Sequence, residues 1–136
     1  MTVKLKITLD YAEPFSEGMA MIRQFSDGTT ITRSSYLDGY INKSGKIVIK
    51  PQYARVEPFS DGLAVVHEWN GSDFDYYIDN KGKQAIPERF AFASPFFKGL
   101  AHVKIKSDTG ENTHDLKGSF AYIDVTGRKV FEYTNE

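Results

Sequence analysis

Apolar and polar residues alternate along much of the chain with a period of two. In the segment 3–9 every second residue is apolar, and the residues between are lysine or threonine. Short runs rich in strand-forming residues recur at 46–49, 63–66 and 101–105. This period predicts strands that bury one face. Beyond residue 13 no stretch between successive glycines or prolines exceeds ten residues, which leaves little room for a helix of ordinary length. The pattern therefore predicts an all-β chain.

Two short phrases recur three times in the same order. The first runs Pro-Phe, two variable residues, Gly, Met or Leu, and Ala, and it begins at positions 14, 58 and 95. The second begins with Tyr-Ile-Asn or Tyr-Ile-Asp at positions 40, 77 and 122, and a glycine follows three residues after the Asn or Asp. An Asx side chain followed by a glycine that can adopt positive φ predicts a type I turn with a G1 bulge. We predict the same turn at the glycine of the first phrase.

The repeat predicts a single domain of three antiparallel β-hairpin units, each with strands A, B and C. The expected bounds are 10–50 for unit one, 51–86 for unit two and 87–133 for unit three. We expect the units to stack as an elongated, twisted sheet or solenoid, with a closed, propeller-like ring as the alternative. The phenylalanine of the first phrase is predicted to be core in every unit, at Phe15, Phe59 and Phe96.

The two ends of the repeat carry further expectations. Leu9 lies five positions before its Pro-Phe phrase, as Tyr53 and Phe90 do. The segment 3–9 is therefore predicted to be an integral strand, equivalent to strand C of an earlier unit. The polar stretches 26–35 and 107–118 lengthen units one and three between strands A and B. We predict that both are surface loops.

The two phrases, together with the Ile47–Tyr53 link, resemble the WG-repeat family of bacterial β-repeat proteins. The resemblance spans nearly the whole chain. It implies an all-β repeat fold and an interaction module, and it brings no catalytic motif. The chain departs from the family at the namesake Trp-Gly, whose slots hold Asp38-Gly39, Asp75-Tyr76 and Phe120-Ala121.

The hairpin of unit two carries the candidate binding residues. Asn70-Gly71 is a strong two-residue hairpin signal, and it predicts pairing of His67 with Phe74. Alternation then gives an aromatic face with His67, Trp69, Phe74 and Tyr76, and an acidic face with Glu68, Asp73 and Asp75. The aromatic residues near the hairpin turn have two interpretations, a binding patch or ordinary packing in the core. The three acidic residues also have two interpretations, a docking site for a basic partner or a solvated face.

Composition narrows the function classes. The chain has 136 residues, no cysteine and a net charge of −1, so it has no thiolate chemistry and lacks the basic excess of a nucleic-acid binder. No apolar run approaches the ~20 residues of a membrane span, and no leader pattern opens the chain. We therefore expect a cytoplasmic protein.

The sequence contains no metal-ligand or catalytic motif, and its three histidines occupy different positions within the repeat. We expect no enzyme activity, no metal and no cofactor.

These patterns together predict a non-enzymatic protein-interaction module or scaffold, such as a bacterial immunity or adaptor protein. The expected partner is another protein, and the acidic trio would suit one with a basic surface. The alternative is a carbohydrate- or cell-envelope-binding domain that uses exposed aromatic side chains. The pattern leaves the oligomeric state open.

Overall fold

The computed structural model describes residues 11–25, 36–69, 73–105 and 117–135. Within these ranges the backbone forms strands and turns and no helix, so none could span a membrane. The strands are β1 (Tyr11–Ala12), β2 (Met19–Phe25), β3 (Tyr36–Asn42), β4 (Ile47–Tyr53), β5 (Arg55–Val56), β6 (Ala64–Trp69), β7 (Asp73–Ile78), β8 (Phe90–Ala93), β9 (Ala101–Ile105), β10 (Gly118–Ile123) and β11 (Lys129–Asn135). The predicted all-β class is confirmed.

The strands form two antiparallel sheets that stay open. One has the order β1-β2-β3-β4, and the other has the order β11-β10-β9-β8-β7-β6-β5. Among the described residues neither sheet closes on itself. The stacked arrangement of hairpin units is thereby confirmed, and the ring alternative is not observed.

Each unit is a hairpin followed by a third segment that leads into the next unit. Strands β2, β6 and β9 are the A strands, and each pairs with the B strand that follows it, β3, β7 or β10. A short strand precedes each A strand and pairs with it. The pair Tyr11–Arg23 in unit one corresponds to Arg55–His67 in unit two. β1 therefore lies at the same distance before its Pro-Phe phrase as β5 does, in agreement with the register predicted from Leu9. The segment 3–9 itself lies outside the described residues.

The two phrases form different turns. In the second phrase of unit one, the Gly45 N–H donates to the Asn42 carbonyl at 3.0 Å, and Asn42 Oδ1 accepts from the Ser44 and Lys46 N–H groups. Asp79 and Asp124 accept in the same way, so the predicted Asx turn is confirmed.

The prediction for the first phrase is wrong. Both central residues have positive φ, at 52° for Glu17 and 80° for Gly18, which defines a two-residue type I′ turn. The same pair of positive φ values recurs in units two and three.

The units stack face to face. We call the side of a unit that carries its repeated tyrosine (Tyr40, Tyr77 or Tyr122) the Tyr face, and the opposite side, with the alanine of the first phrase, the Ala face. The Tyr face of unit one and the Ala face of unit two form one buried cluster. The Tyr face of unit two and the Ala face of unit three form a second cluster. Each of these two cores therefore belongs to two units, whereas a third and smaller cluster, on the Ala face of unit one, consists of Ala20, Ile22 and Ile41.

The repeated phenylalanine does not occupy the same environment in every unit. Phe59 and Phe96 are 2% and 1% exposed, as predicted for core residues. Their rings lie 4.8 and 4.9 Å from the rings of Tyr40 and Tyr77, which belong to the preceding unit. Phe15 is 47% exposed, so its assignment to the core is wrong. The phenylalanine at this position of the repeat is covered by the tyrosine of the preceding unit. No such unit precedes Phe15 among the described residues.

The predicted register of the unit-two hairpin is wrong by one residue. The structure pairs Trp69 with Asp73 and His67 with Asp75, which leaves three residues in the connection rather than two. Since side chains alternate with a period of two, this shift exchanges the faces of one strand relative to the other. Phe74 and Tyr76 therefore share the Ala face with Glu68, and Asp75 lies on the Tyr face with His67. The predicted aromatic and acidic faces are not formed.

Candidate functional site

The aromatic residues predicted at the unit-two tip belong to the core. Phe74 and Tyr76 are 5% and 8% exposed and pack in the cluster between units one and two. The Tyr76 ring lies 6.3 Å from the Tyr53 ring, and its hydroxyl donates to Glu68 at 3.2 Å. Burial raises the pKa of Tyr76. Packing is thus the environment of these two residues, while the side chains of Trp69 and Asp73 lie outside the described part of the structure.

The three predicted acids do not form one surface. Glu68 lies on the Ala face and is half-buried, whereas Asp75 is 3% exposed on the opposite face. Asp75 Oδ1 lies 2.6 Å from His67 Nδ1, and its Oδ2 accepts from the Ala93 N–H at 3.0 Å. This carboxylate therefore ties unit two to the segment that leads into unit three.

The same arrangement occurs in unit one. Asp38 is fully buried, accepts from the Arg23 guanidinium at 2.7 Å and from the Val56 N–H at 3.3 Å. The carboxylate raises the pKa of Arg23. Asp38 and Asp75 occupy the positions of the family tryptophan, so a buried carboxylate paired with Arg23 or His67 replaces the indole there. The signal in the sequence was an arginine or a histidine on strand A opposite an aspartate on strand B.

A small cleft opens beside the His67–Asp75 pair. It has a volume of about 130 Å³, and its polar lining residues include Arg55, Glu57, His67 and Ser94. Burial raises the pKa of Glu57, and Arg55 partly offsets this effect. The Ser94 hydroxyl donates to the Pro95 carbonyl and accepts from the His102 N–H. The described residues bring together no metal-binding group of three His, Asp or Glu side chains.

The Tyr face of unit three is exposed at its tyrosine and on the adjacent part of β11, unlike those of units one and two, while Phe120 and Lys104 on the same face are 8% and 3% exposed. Tyr122 is 39% exposed, whereas Tyr40 and Tyr77 are fully buried in the same slot. Phe131, which pairs with Tyr122, is 59% exposed, whereas Ile49, which pairs with Tyr40, is 3% exposed. We call this surface the end face; it consists of Phe97, Leu100, His102, Phe120, Tyr122, Phe131 and Tyr133.

Aromatic rings cover most of the end face. His102 stacks on Phe120 and Tyr122 with ring centroids at 5.3 and 4.9 Å, and Tyr133 stacks on Phe120 at 5.3 Å. His102 Nε2 lies 2.7 Å from the Tyr133 hydroxyl. The cluster is therefore an ordered, partly polar aromatic surface. Sequence reasoning missed it because the aromatics of β10 and β11 come together only through strand pairing.

A ladder of turn contacts connects the units and stops at this face. Glu17 accepts from the Asp61 and Gly62 N–H groups at 2.8 and 2.9 Å, and Asp61 accepts from the Gly99 N–H at 2.7 Å. In unit three the acid slot holds Lys98.

A second row of contacts ends at the same place. The Ser16 and Ser60 hydroxyls donate to the carbonyls of Phe59 and Phe96. In unit three the serine slot holds Phe97, which is 73% exposed. Neither residue of this turn can repeat the contacts that bind one unit to the next.

A comparison of the chain with known protein families agrees with the repeat architecture. The family model described as WG containing repeat matches residues 2–24, 39–67 and 77–107, together more than half of the chain. No curated protein and no solved structure matches the chain. Gly39 keeps the family glycine, and a Cβ there would lie 2.4 Å from the Ile49 carbonyl oxygen. The chain therefore belongs to the WG-repeat family.

Proposed function

We propose that this chain is a non-enzymatic protein-interaction module of adaptor type, and that the end face is its binding surface. The observation that carries the proposal is the exposure of Tyr122 and Phe131 in slots that are buried between units elsewhere in the chain. A contiguous exposed apolar patch is typical of interaction sites. Tyrosine and phenylalanine also supply large contact areas at such sites.

The chemistry of the end face supports a partner that differs from another repeat unit. In units one and two, Asp38 and Asp75 accept from backbone N–H groups of the next segment. The equivalent slot in unit three is Phe120, which accepts none. Lys98 likewise replaces a hydrogen-bond acceptor with a donor. The end face thus favours a partner with apolar side chains and exposed acceptors.

Affinity capture from the native cell tests this function. The immobilised wild-type chain is compared with a Phe97→Ser/Phe131→Ser double variant and with Val48→Ser as the matched control. Val48 is 37% exposed on β4, which belongs to unit one. We expect a specific protein to be retained by the wild type and the control and lost from the double variant. Equal retention by all three would contradict the proposal.

A carbohydrate ligand is the second candidate. The rings, hydroxyls and imidazole of the end face favour it, because sugars offer apolar C–H faces together with hydroxyl groups. Affinity electrophoresis in gels containing soluble polysaccharides tests it. The candidate predicts retardation of the wild type that is lost in Phe131→Ser, and it is rejected if the wild type migrates unchanged in every gel.

A further inference from the structure

The repeated tyrosine and the Pro-Phe phrase of the next unit make a contact that occurs twice in the chain. The Tyr40 hydroxyl donates at 2.6 Å to the carbonyl of Glu57, the residue before the Pro-Phe phrase of unit two. The Tyr40 ring lies 4.8 Å from the Phe59 ring. Tyr77 makes the same two contacts with the phrase of unit three, at 2.7 Å to the carbonyl and 4.9 Å between the rings. Each tyrosine therefore binds the backbone carbonyl before Pro-Phe and the phenylalanine ring within it.

Tyr122 occupies the same position of the repeat in unit three, and it is open to an outside partner. It is 39% exposed, and among the residues that the structure describes none accepts from its hydroxyl. Phe131 pairs with it and is 59% exposed. A docked Pro-Phe phrase would continue the interface that already joins the three units, because Tyr122 presents the same hydroxyl and ring as Tyr40 and Tyr77.

The neighbour of Tyr122 determines which residue suits the start of such a phrase. In unit two Val56, two positions before the proline, donates its N–H to Asp38 at 3.3 Å. Ala93 donates to Asp75 in the same way, at 3.0 Å. Phe120 stands at the aspartate position in unit three, and its side chain cannot accept. A buried N–H group without an acceptor is unfavourable, and proline has no N–H. The end face therefore favours a proline at this point as well, which gives the pattern Pro-X-Pro-Phe.

A segment with this pattern also loses little conformational entropy when it docks. Proline fixes its own φ, and the residue before a proline is restricted to extended conformations. Such segments adopt the polyproline II conformation before they bind, and aromatic surfaces commonly bind them.

A second copy of the chain fits this position less well. Its own Pro-Phe phrase carries Phe15, which is 47% exposed. The residue two positions before that proline is Ala12, whose N–H would face Phe120 without an acceptor. The Ala face of unit one is also buried within its own cluster, with Ala20 and Ile22 at 2% and 0% exposure. It could not pack on a Tyr face as the Ala face of unit two does.

We propose that the end face binds a proline-rich segment of a partner protein with the pattern Pro-X-Pro-Phe. The Tyr122 hydroxyl donates to the carbonyl of X, and the phenylalanine ring of the segment packs against the Tyr122 ring. This inference rests on the proposed interaction function and specifies the chemistry of the partner.

NMR titration of the isotope-labelled full chain with short peptides tests this pattern. The probe contains Pro-Ser-Pro-Phe between glycine residues, and both its ends are blocked. One control has alanine for the phenylalanine, and the other has valine for the first proline. We expect the alanine control to bind at least ~10-fold and the valine control at least ~3-fold more weakly, because the first loses a ring and the second buries an N–H without an acceptor. Equal affinity of the probe and either control, or no binding of the probe at millimolar concentration, would overturn the proposal.

Tyr122→Phe tests the hydroxyl from the protein side, because it keeps the ring and removes the donor. We expect the probe to bind ~3- to 10-fold more weakly, about the contribution of one hydrogen bond. Tyr133→Phe is the matched control, since the Tyr133 hydroxyl lies 2.7 Å from His102 Nε2 on the same face. We expect this control to keep the wild-type affinity. Unchanged affinity in Tyr122→Phe would overturn the proposal.

Phe120→Asp tests the first proline by restoring the acceptor that units one and two have. Its melting temperature shows whether it folds. In the folded variant the valine control should bind more tightly than the probe, which reverses the wild-type order. The wild-type order in this variant would contradict the assignment of the first proline. If the variant does not fold, the valine control on the wild-type chain decides the same point.

Further outcomes separate the occupants and the two proposals. A dimer in sedimentation velocity that Phe15→Ser abolishes would mean that the phrase of a second copy occupies Tyr122, which overturns the proposal. If the probe does not bind but the Phe97→Ser/Phe131→Ser variant still loses its cellular partner, the interaction function stands and the proline-rich pattern is wrong. If the probe binds but that variant retains every captured protein, the site at Tyr122 stands and the proposed function is wrong.

Discussion

Individual residues of the repeat take their environment from the neighbouring unit. Phe59 and Phe96 are buried because a tyrosine of the preceding unit covers them, while Phe15 in the same slot is 47% exposed. The phrase could therefore predict which residues recur but not which of them are covered. The family pattern does not predict burial of the aspartates at the tryptophan positions, because the backbone N–H groups that they accept from, those of Val56 and Ala93, lie beyond their own hairpin.

The matched pair Phe59 and Phe15 tests this dependence. Phe59→Ala should lower the free energy of unfolding by about 3–5 kcal/mol, since it removes a fully packed ring. Phe15→Ala should change it by less than about 1 kcal/mol, as at other exposed positions. Chemical denaturation of both variants gives the two values. Similar losses in both would show that the two slots are equally packed.

Glu57 gives a prediction about pH. Burial raises its pKa in the folded chain, so folding favours the protonated form. The stability from this group is fully present below its unfolded pKa, and it is lost as pH rises through the folded pKa. Glu57→Gln should therefore raise the melting temperature at pH 7 and leave it nearly unchanged at pH 3.5. Calorimetry at both pH values checks this, and an equal shift at both would exclude ionisation as the cause.

Single elements were predicted with uneven success. The Asx turn of the second phrase was legible because one side chain and one glycine determine it locally. The hairpin of unit two was not, since Asn70-Gly71 suits a two-residue turn while packing of Phe74 and Tyr76 between units requires the other register. Burial of those two rings outweighs the local turn preference.

The turn ladder can be tested with one substitution in each of two equivalent turns. Glu17→Ala removes the acceptor for the Asp61 and Gly62 N–H groups, and we expect a loss of about 0.5–1.5 kcal/mol. Lys98→Ala should stay within about 0.5 kcal/mol of the wild type. Both residues have φ near 50°, at 52° and 50°, so any backbone cost of alanine is common to the two variants. Equal losses in urea unfolding would show that the ladder contributes nothing.

The arrangement of the three units followed from the repeat, while its open end did not. The order of strands A, B and C could be predicted because glycines and prolines limit each strand. Whether the stack closes depends on which face is left uncovered, and this in turn depends on Lys98, Phe97 and Phe120 in slots that otherwise bind the next unit. That these residues leave the last face uncovered can be inferred only from the contacts between units, which the sequence alone does not give.

The exposed rings of the end face should contribute to the apolar surface of the chain and not to its melting temperature. Phe97 and Phe131 are 73% and 59% exposed, so the Phe97→Ser/Phe131→Ser variant should keep the wild-type melting temperature while binding less of the dye ANS. Differential scanning fluorimetry without dye and ANS titration measure the two properties. A marked drop in melting temperature would mean that these rings are part of a packed core.

Hydroxyl-radical footprinting of the free chain, read out by mass spectrometry, compares matched slots of the three units in one experiment. We predict rapid labelling of Tyr122 and Phe131 and strong protection of Tyr77 and Phe96, because the last Tyr face is open and the one before it is covered. Addition of a captured partner should then protect Tyr122 and Phe131. Equal protection of Tyr122 and Tyr77 in the free chain would contradict an open end face and the binding function proposed for it.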